Sequence, residues 1–242
     1  MSPEAPRSRR DRPAKPALSR EAIVEAALVI ARDEGIEALS MRRLAQALDT
    51  GAASLYVYVA NRDELRDLLF DAAIGTVETE PTDPARWREQ LHGLAGRMVH
   101  MMAVEYPGMA GLAMARIPVG DNALRVSESM LSLLKAGGVG DQAAAYAADL
   151  ISMYVTAIAY EQSLYAALYK DPEHEAREIQ RIAARFAAIS PERFPTIAAL
   201  REQLTTGDGE ERFSLGLDVI VNGLIGTPTE GRLNPVAWEQ EP

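Results

Sequence analysis

Residues 52–58, A-A-S-L-Y-V-Y, set three small side chains before two phenols. Leu55 can turn inward while Tyr56 and Tyr58 lie outward, so the stretch offers methyls, one hydroxyl and two phenols to a partner outside the fold. Such a surface suits a groove better than a core. A second candidate lies further on, where Tyr154, Ile158, Glu161 and Tyr165 are spaced 4, 3 and 4. That spacing puts a carboxylate on one helical face with two phenols. An acid buried there needs a cationic or hydrogen-bonding partner, from a bound compound or from an arginine across a dimer. Catalysis finds less support. His92, His100 and His174 fall in no H-E-x-x-H pattern, and no nucleophile elbow, phosphate loop or dinucleotide fingerprint is present. Neither an enzyme, nor a metal, nor a cofactor is expected.

The elements around the first stretch are legible from spacing. Met41, Leu44, Ala45 and Leu48 recur at i, i+3, i+4 and i+7, one face of a short helix. Ser40 stands at its N-cap position. Asp49-Thr50-Gly51 interrupts the pattern with residues that favour turns, and a second helix of about two turns can run from Ala52 to Tyr58. Asn61 with Glu64 is a capping pair that opens a longer helix over 62–77, with Leu65, Leu68, Leu69 and Ala72 on one face. Two short helices across so tight a turn form a helix-turn-helix, with Ala45 small enough to let them cross closely. Upstream, a helix from Ser19 to Glu34, stopped by Gly35, places Ile23, Ala27 and Ile30 over the pair.

From Leu18 to Val77 the chain resembles the TetR family of transcriptional repressors. Leu48, Leu55, Tyr56, Tyr58, Val59, Arg62 and Leu65 match the family motif. Asp49, Tyr58, Val59 and Arg62 stand where it usually has glycine, histidine, phenylalanine and lysine. The resemblance implies roles residue by residue. Ser40 and Arg42, with Arg43 as a weaker candidate, would hold phosphates. Gly51, Ala52, Ala53 and Ser54 would face base edges, alanine methyls against thymine methyls. Tyr56 and Tyr58 would donate to phosphate, Arg62 would clamp the far side, and Thr50 is either a cap or a phosphate contact. The stretch 51–58 has no Arg, Lys, Asn or Gln. Specificity then relies on apolar contacts and DNA shape more than on bidentate pairs.

The resemblance also implies an all-α body holding a small-molecule effector, and a homodimer that binds double-stranded DNA. Four regions are expected: a basic arm over 1–17, a DNA-binding domain over 18–77, a ligand-binding and dimerisation domain over 78–226, and a tail over 227–242. Asp83-Pro84 opens a helix to about Tyr106. Another starts at Asp121 or Asn122, a long apolar one spans 142–169, and helical pieces cover 173–188 and 191–204 before a last helix over 209–226. Trp87, Leu91, Met98, Met102, Tyr106, Met109, Met114, Tyr154, Ile158 and Glu161 are the candidate cavity residues, since methionines adapt to irregular ligands and phenols add a polar handle. The dimer pair is expected to be helices 142–169 and 209–226. Their close-approach residues would be Ala144, Ala148, Val155, Ala159, Ala166, Gly216 and Gly223. A ligand-dependent activator and a carrier without DNA function are the competing readings.

Composition fits this division. The chain has 242 residues, a net charge of −10 and no cysteine, which suits a reducing cytoplasm. Residues 1–62 carry 10 Lys/Arg against 8 Asp/Glu, and the remainder 15 against 27. A slightly basic head on an acidic body can still approach phosphate at one end. No apolar run is expected to approach the ~18–20 residues of a membrane span.

Overall fold

The computed structural model describes residues 18–114 and 117–226, and among them every regular element is helical. The expected arm and tail lie outside the described residues. α1 (Arg20–Glu34) begins where Ser19 Oγ accepts the Ala22 N–H at 3.2 Å and stops at Gly35, whose φ is +83°. A single 3₁₀ turn leads to α2 (Met41–Ala47), α3 (Ala52–Leu55) and α4 (Arg62–Ile74). Ile23, Ala27 and Ile30 of α1 share one core with Leu44, Leu55, Val59, Leu65 and Leu69. The predicted apolar spacings therefore converge on one small hydrophobic centre, and burial of those side chains fixes the angle at which α3 is presented.

The body opens later than expected. Asp83 caps a turn instead of a helix: its Oδ1 accepts the Ala85 N–H at 2.9 Å and its carbonyl the Arg86 N–H at 3.0 Å. The buried Gln90 side chain then ties Asp83 N and Pro81 O, each at 2.8 Å, so α5 runs Trp87–His100. It continues into a π-helical turn, Met101–Glu105, a form that clusters at functional sites. Next come α6 (Met109–Ala113), α7 (Asp121–Ala136), α8 (Asp141–Leu168), α9 (Pro172–Ala187), α10 (Pro195–Ala199), α11 (Arg201–Thr205) and α12 (Gly209–Gly226).

α8 is the post on which α5, α6, α7 and α12 pack. It is long and apolar enough to cross a membrane by length and composition, although polar residues interrupt its apolar runs. Burial of Ala143, Ala144, Ala147, Ile151, Val155 and Ala159 accounts for much of that apolarity within the monomer. This corrects the expectation that Ala144, Val155 and Ala159 face a second subunit. Gly216 is likewise spent inside the chain: a Cβ there would lie 2.1 Å from the Tyr154 hydroxyl. Tyr154 stacks on Phe213 with ring centroids 5.7 Å apart, and its hydroxyl faces the Arg212 and Phe213 carbonyls at 3.3 and 3.2 Å. Gly216→Ala must displace that ring, and overpacking of this kind costs ~1–3 kcal/mol. The variant is expected to unfold at lower urea with an unchanged slope, and an unmoved midpoint would refute the tight α8–α12 fit.

Candidate nucleic-acid interface and ligand cavity

The turn between α2 and α3 is built by backbone bonds. Thr50 N–H reaches Ala45 O at 2.9 Å and Asp49 N–H reaches Gln46 O at 3.1 Å, the paired bonds of a Schellman end. Asp49 occupies the left-handed position, φ +48°, which aspartate tolerates better than most side chains. α3 is shorter than the two turns expected. After Leu55 the chain tightens, with the Tyr58 and Val59 N–H groups both on the Leu55 carbonyl at 3.0 Å. Two β-branched valines in four residues disfavour further helix, and Arg20 Nε holds the Tyr58 carbonyl at 3.2 Å. Leu55 and Val59 are fully buried, whereas Tyr56 and Tyr58 are 47% and 36% exposed. Val57, passed over in the sequence, is 79% exposed between them.

Below this turn sits a bracket that sequence spacing only half revealed. Asn61 Oδ1 caps α4, accepting the Asp63 and Glu64 N–H groups at 2.9 and 2.8 Å. The return bond from Glu64 lands one residue early, on the Ala60 N–H at 2.6 Å. The other Glu64 oxygen pairs with Arg20. Arg20, at the start of α1, thus secures both the last residue of the reading turn and the first turn of α4.

The predicted contact residues differ in freedom. Ser40 Oγ accepts the Arg43 N–H at 3.1 Å, which leaves its hydroxyl proton to donate. Arg42 and Arg62 are exposed and have no ion-pair partner among the described residues. Arg43 differs: its Nε lies 3.1 and 3.0 Å from the two Glu34 oxygens. That contact holds the Glu34 carboxyl below the usual range, and Arg43 must leave it before meeting a phosphate. Gly51 and Ala53 are exposed, while Thr50, Ala52 and Ser54 are partly covered.

The body holds a half-open cavity of about 680 Å³. Phe70 and Ile74 of α4, Met98 of α5, Met102 of the π turn, Val126, Ser127 and Met130 of α7, and Ser152 and Thr156 of α8 line it, with Met114 and Asp149. Of the sequence candidates it gathers Met98, Met102 and Met114. The other seven lie outside its lining. Leu91 and Met109 are fully buried core residues, Ile158 packs against the core, and Trp87 lies against Gly137 and under Arg88. Tyr154 is committed to α12. Glu161 is exposed on the single chain and does not reach the cavity. Tyr106 joins head to body: Arg32 of α1 donates to its hydroxyl at 2.9 Å, and the Ile36 N–H reaches the Pro107 carbonyl at 3.2 Å. Spacing along one helix could not show Phe70 and Ile74 as cavity residues, because their face is set by packing on α7. A second cavity of about 410 Å³ adjoins the first across Phe70, between α4 and residues 117–120.

An outward helix-turn-helix on a helical body with a half-open cavity is the arrangement of a one-chain transcriptional regulator. Comparison with known proteins agrees. Residues 23–69 match the bacterial regulatory proteins of the tetR family, and residues 80–227 match the tetracycline repressor-like C-terminal domain. The HTH-type transcriptional repressor DrrR1 of Streptomyces coeruleorubidus is 34% identical over 87% of this chain and 78% of its own. ActR of Streptomyces coelicolor, solved in complex with actinorhodin, is 38% identical with a TM-score of 0.79, covering 89% of this chain and 99% of that one. BioQ, solved with its double-stranded DNA operator, shares the fold at 22% identity and a TM-score of 0.62. The chain belongs to the TetR family of DNA-binding transcriptional regulators, which are not enzymes.

Proposed function

We propose that this chain is a cytoplasmic repressor that binds a palindromic operator as a homodimer and leaves it when a small, largely apolar compound fills the body cavity. One observation carries the reading. α4 lines the cavity with Phe70 and Ile74, while its opposite end forms the cap beneath the reading turn. An occupant therefore acts on the same helix that supports the DNA contacts, and a compound bound better by the mis-spaced state drives release. DrrR1 is named a repressor, which supports repression over activation. The division of labour falls near residue 77.

The cavity walls favour an apolar body with hydrogen-bonding groups toward Ser127, Ser152 and Thr156. Actinorhodin and (S)-DNPA, with which ActR has been solved, are the first compounds to try. An operator selected from randomised duplex DNA, bound in an anisotropy assay and challenged with these compounds, tests the whole reading. Selection that enriches no sequence, or only sites without two-fold symmetry, would sink it.

At the DNA face Tyr56, Tyr58 and the exposed Arg62 approach phosphate, and the Val57, Ala52 and Ala53 methyls approach the groove. Tyr58→Ala removes a hydrogen bond to a charged group, worth ~1.5–3 kcal/mol. Operator binding should weaken at least tenfold, and nearly equally for all sequences. A loss confined to one base position would instead mark Tyr58 as a base reader.

A further inference from the structure

α4 and α7 cap each other. On α7 the N-cap position is Gly120, which has no side chain to offer. Asp71 of α4 supplies one: its Oδ1 accepts the Ala123 N–H at 3.0 Å and its Oδ2 the Asn122 amide at 3.1 Å. A Cβ on Gly120 would lie 2.2 Å from that carboxylate, and one on Gly75 would lie 3.0 Å from the Asn122 side chain. The two glycines thus make room for the contact. In the other direction Arg125 of α7 reaches the end of α4. One guanidinium nitrogen donates to Val77 O and Thr79 Oγ1, each at 3.1 Å, and another to Gly75 O at 3.2 Å. A helix end leaves such carbonyls without partners. Both charges have the sign the facing dipole favours, a carboxylate at an N-terminus and a guanidinium at a C-terminus.

Each helix also presents side chains to the cavity: Phe70 and Ile74 from α4, and Val126, Ser127 and Met130 from α7. We propose that Asp71 and Arg125 are positioning residues that bind α4 and α7 into one lever. Displacement of α7 by a cavity occupant then becomes displacement of the reading turn at the far end of α4. The inference rests on the ligand-release reading and adds the parts that transmit it. The apolar contacts between α4 and α7 are non-directional, so the two clamps are what fix their relative position. The competing route is the Arg32–Tyr106 and Ile36–Pro107 joint, which connects α1 to the π turn.

The test needs no identified effector. Ser127→Trp puts a bulky group into the cavity from α7, and the probe is an operator selected from randomised duplex DNA. In the otherwise native chain, Ser127→Trp should weaken operator binding about tenfold, within the usual range of coupling between sites. Asp71→Ala/Arg125→Ala should retain operator binding, and Ser127→Trp added to it should cost less than about threefold. An equal loss in both backgrounds overturns the lever and moves the coupling to the Tyr106 joint. No loss from Ser127→Trp in the native chain overturns the ligand-release reading, and the lever with it. Circular dichroism checks the fold. Should the double variant unfold, Asp71→Asn and Arg125→Lys carry the same comparison singly: each should reduce the tryptophan's effect, and an undiminished effect in both overturns the proposal.

Discussion

A glutamate at Leu150 or Leu164 should leave the chain monomeric at micromolar concentration, and the monomer should hold operator DNA at least a hundredfold more weakly. The exposed face of α8 is the reason. Tyr146, Leu150, Met153, Ala157, Tyr160, Leu164 and Leu168 all face solvent, spaced 4, 3, 4, 3, 4 and 4. That is the seam spacing of paired helices. Leu215 and Val219 of α12 add 65% and 63% exposed apolar side chains, and a contiguous patch of this kind marks an association surface. Two-fold pairing enters each substitution twice. Burying one leucine is worth ~1.5–3 kcal/mol, so two lost contacts shift dissociation by roughly a thousandfold before the cost of burying charge is added. The operator penalty follows from losing the second head, since linking two binding events raises avidity ~10²–10⁴-fold. Sedimentation velocity reads the assembly and anisotropy reads the DNA. Neither Leu150 nor Leu164 lines the cavity, so a variant that still dimerises would refute this face directly.

The same helix shows where sequence reasoning stops. Its length and apolar character were legible, because helical periodicity and terminal signals are local. Which of its faces turns outward was not. Small residues at 144, 155 and 159 suggested close approach to a mate, yet they serve close approach to α5, α6 and α7, while the larger tyrosines and leucines form the free stripe. Both faces are apolar, so periodicity cannot rank them. Gly216 repeats the lesson: a glycine in a helix implies a close neighbour, but only tertiary packing shows it to be Tyr154. The head was more legible. Its caps, turn and inward leucines are specified within a few residues of one another, and the structure places Ser19, Ser40, Asp49 and Asn61 in their expected local roles. What escaped there acts across the chain: Arg20 lies 38 residues from the carbonyl it holds and 44 from Glu64. The cavity was least legible, since five separate helices and the π turn contribute to it and no single segment carries its pattern.

Glu64→Ala should cost little stability and much DNA affinity, and that disproportion tests the bracket beneath the reading turn. Its two contacts are modest as folding interactions. The pair with Arg20 is partly exposed and such pairs contribute ~0–1 kcal/mol, while the bond to the Ala60 N–H is worth a typical ~1 kcal/mol. Thermal unfolding should therefore fall by only a few degrees. The binding consequence is larger because of what the bracket positions. Tyr58 is itself an anchor point, Arg62 lies between Ala60 and Glu64, and Tyr56 precedes them on a turn that is not a continuous helix. Loosening it spreads the three proposed phosphate contacts over many arrangements, and losing any two of them would cost ~3 kcal/mol or more, over a hundredfold in affinity. Glu64→Gln keeps an acceptor for the Ala60 N–H but gives up the charge facing Arg20, so it should fall between the two. Arg20→Ala should weaken binding in the same direction, and the double variant should cost less than the sum of the two, as expected of residues that share one contact within a network. Anisotropy at two salt concentrations separates this from simple loss of charge. A floppy turn lowers affinity and flattens the salt slope through fewer phosphate contacts, whereas the removed glutamate alone would raise affinity for an anion. A Glu64→Ala protein that binds more tightly would therefore show that the turn holds its shape without the bracket.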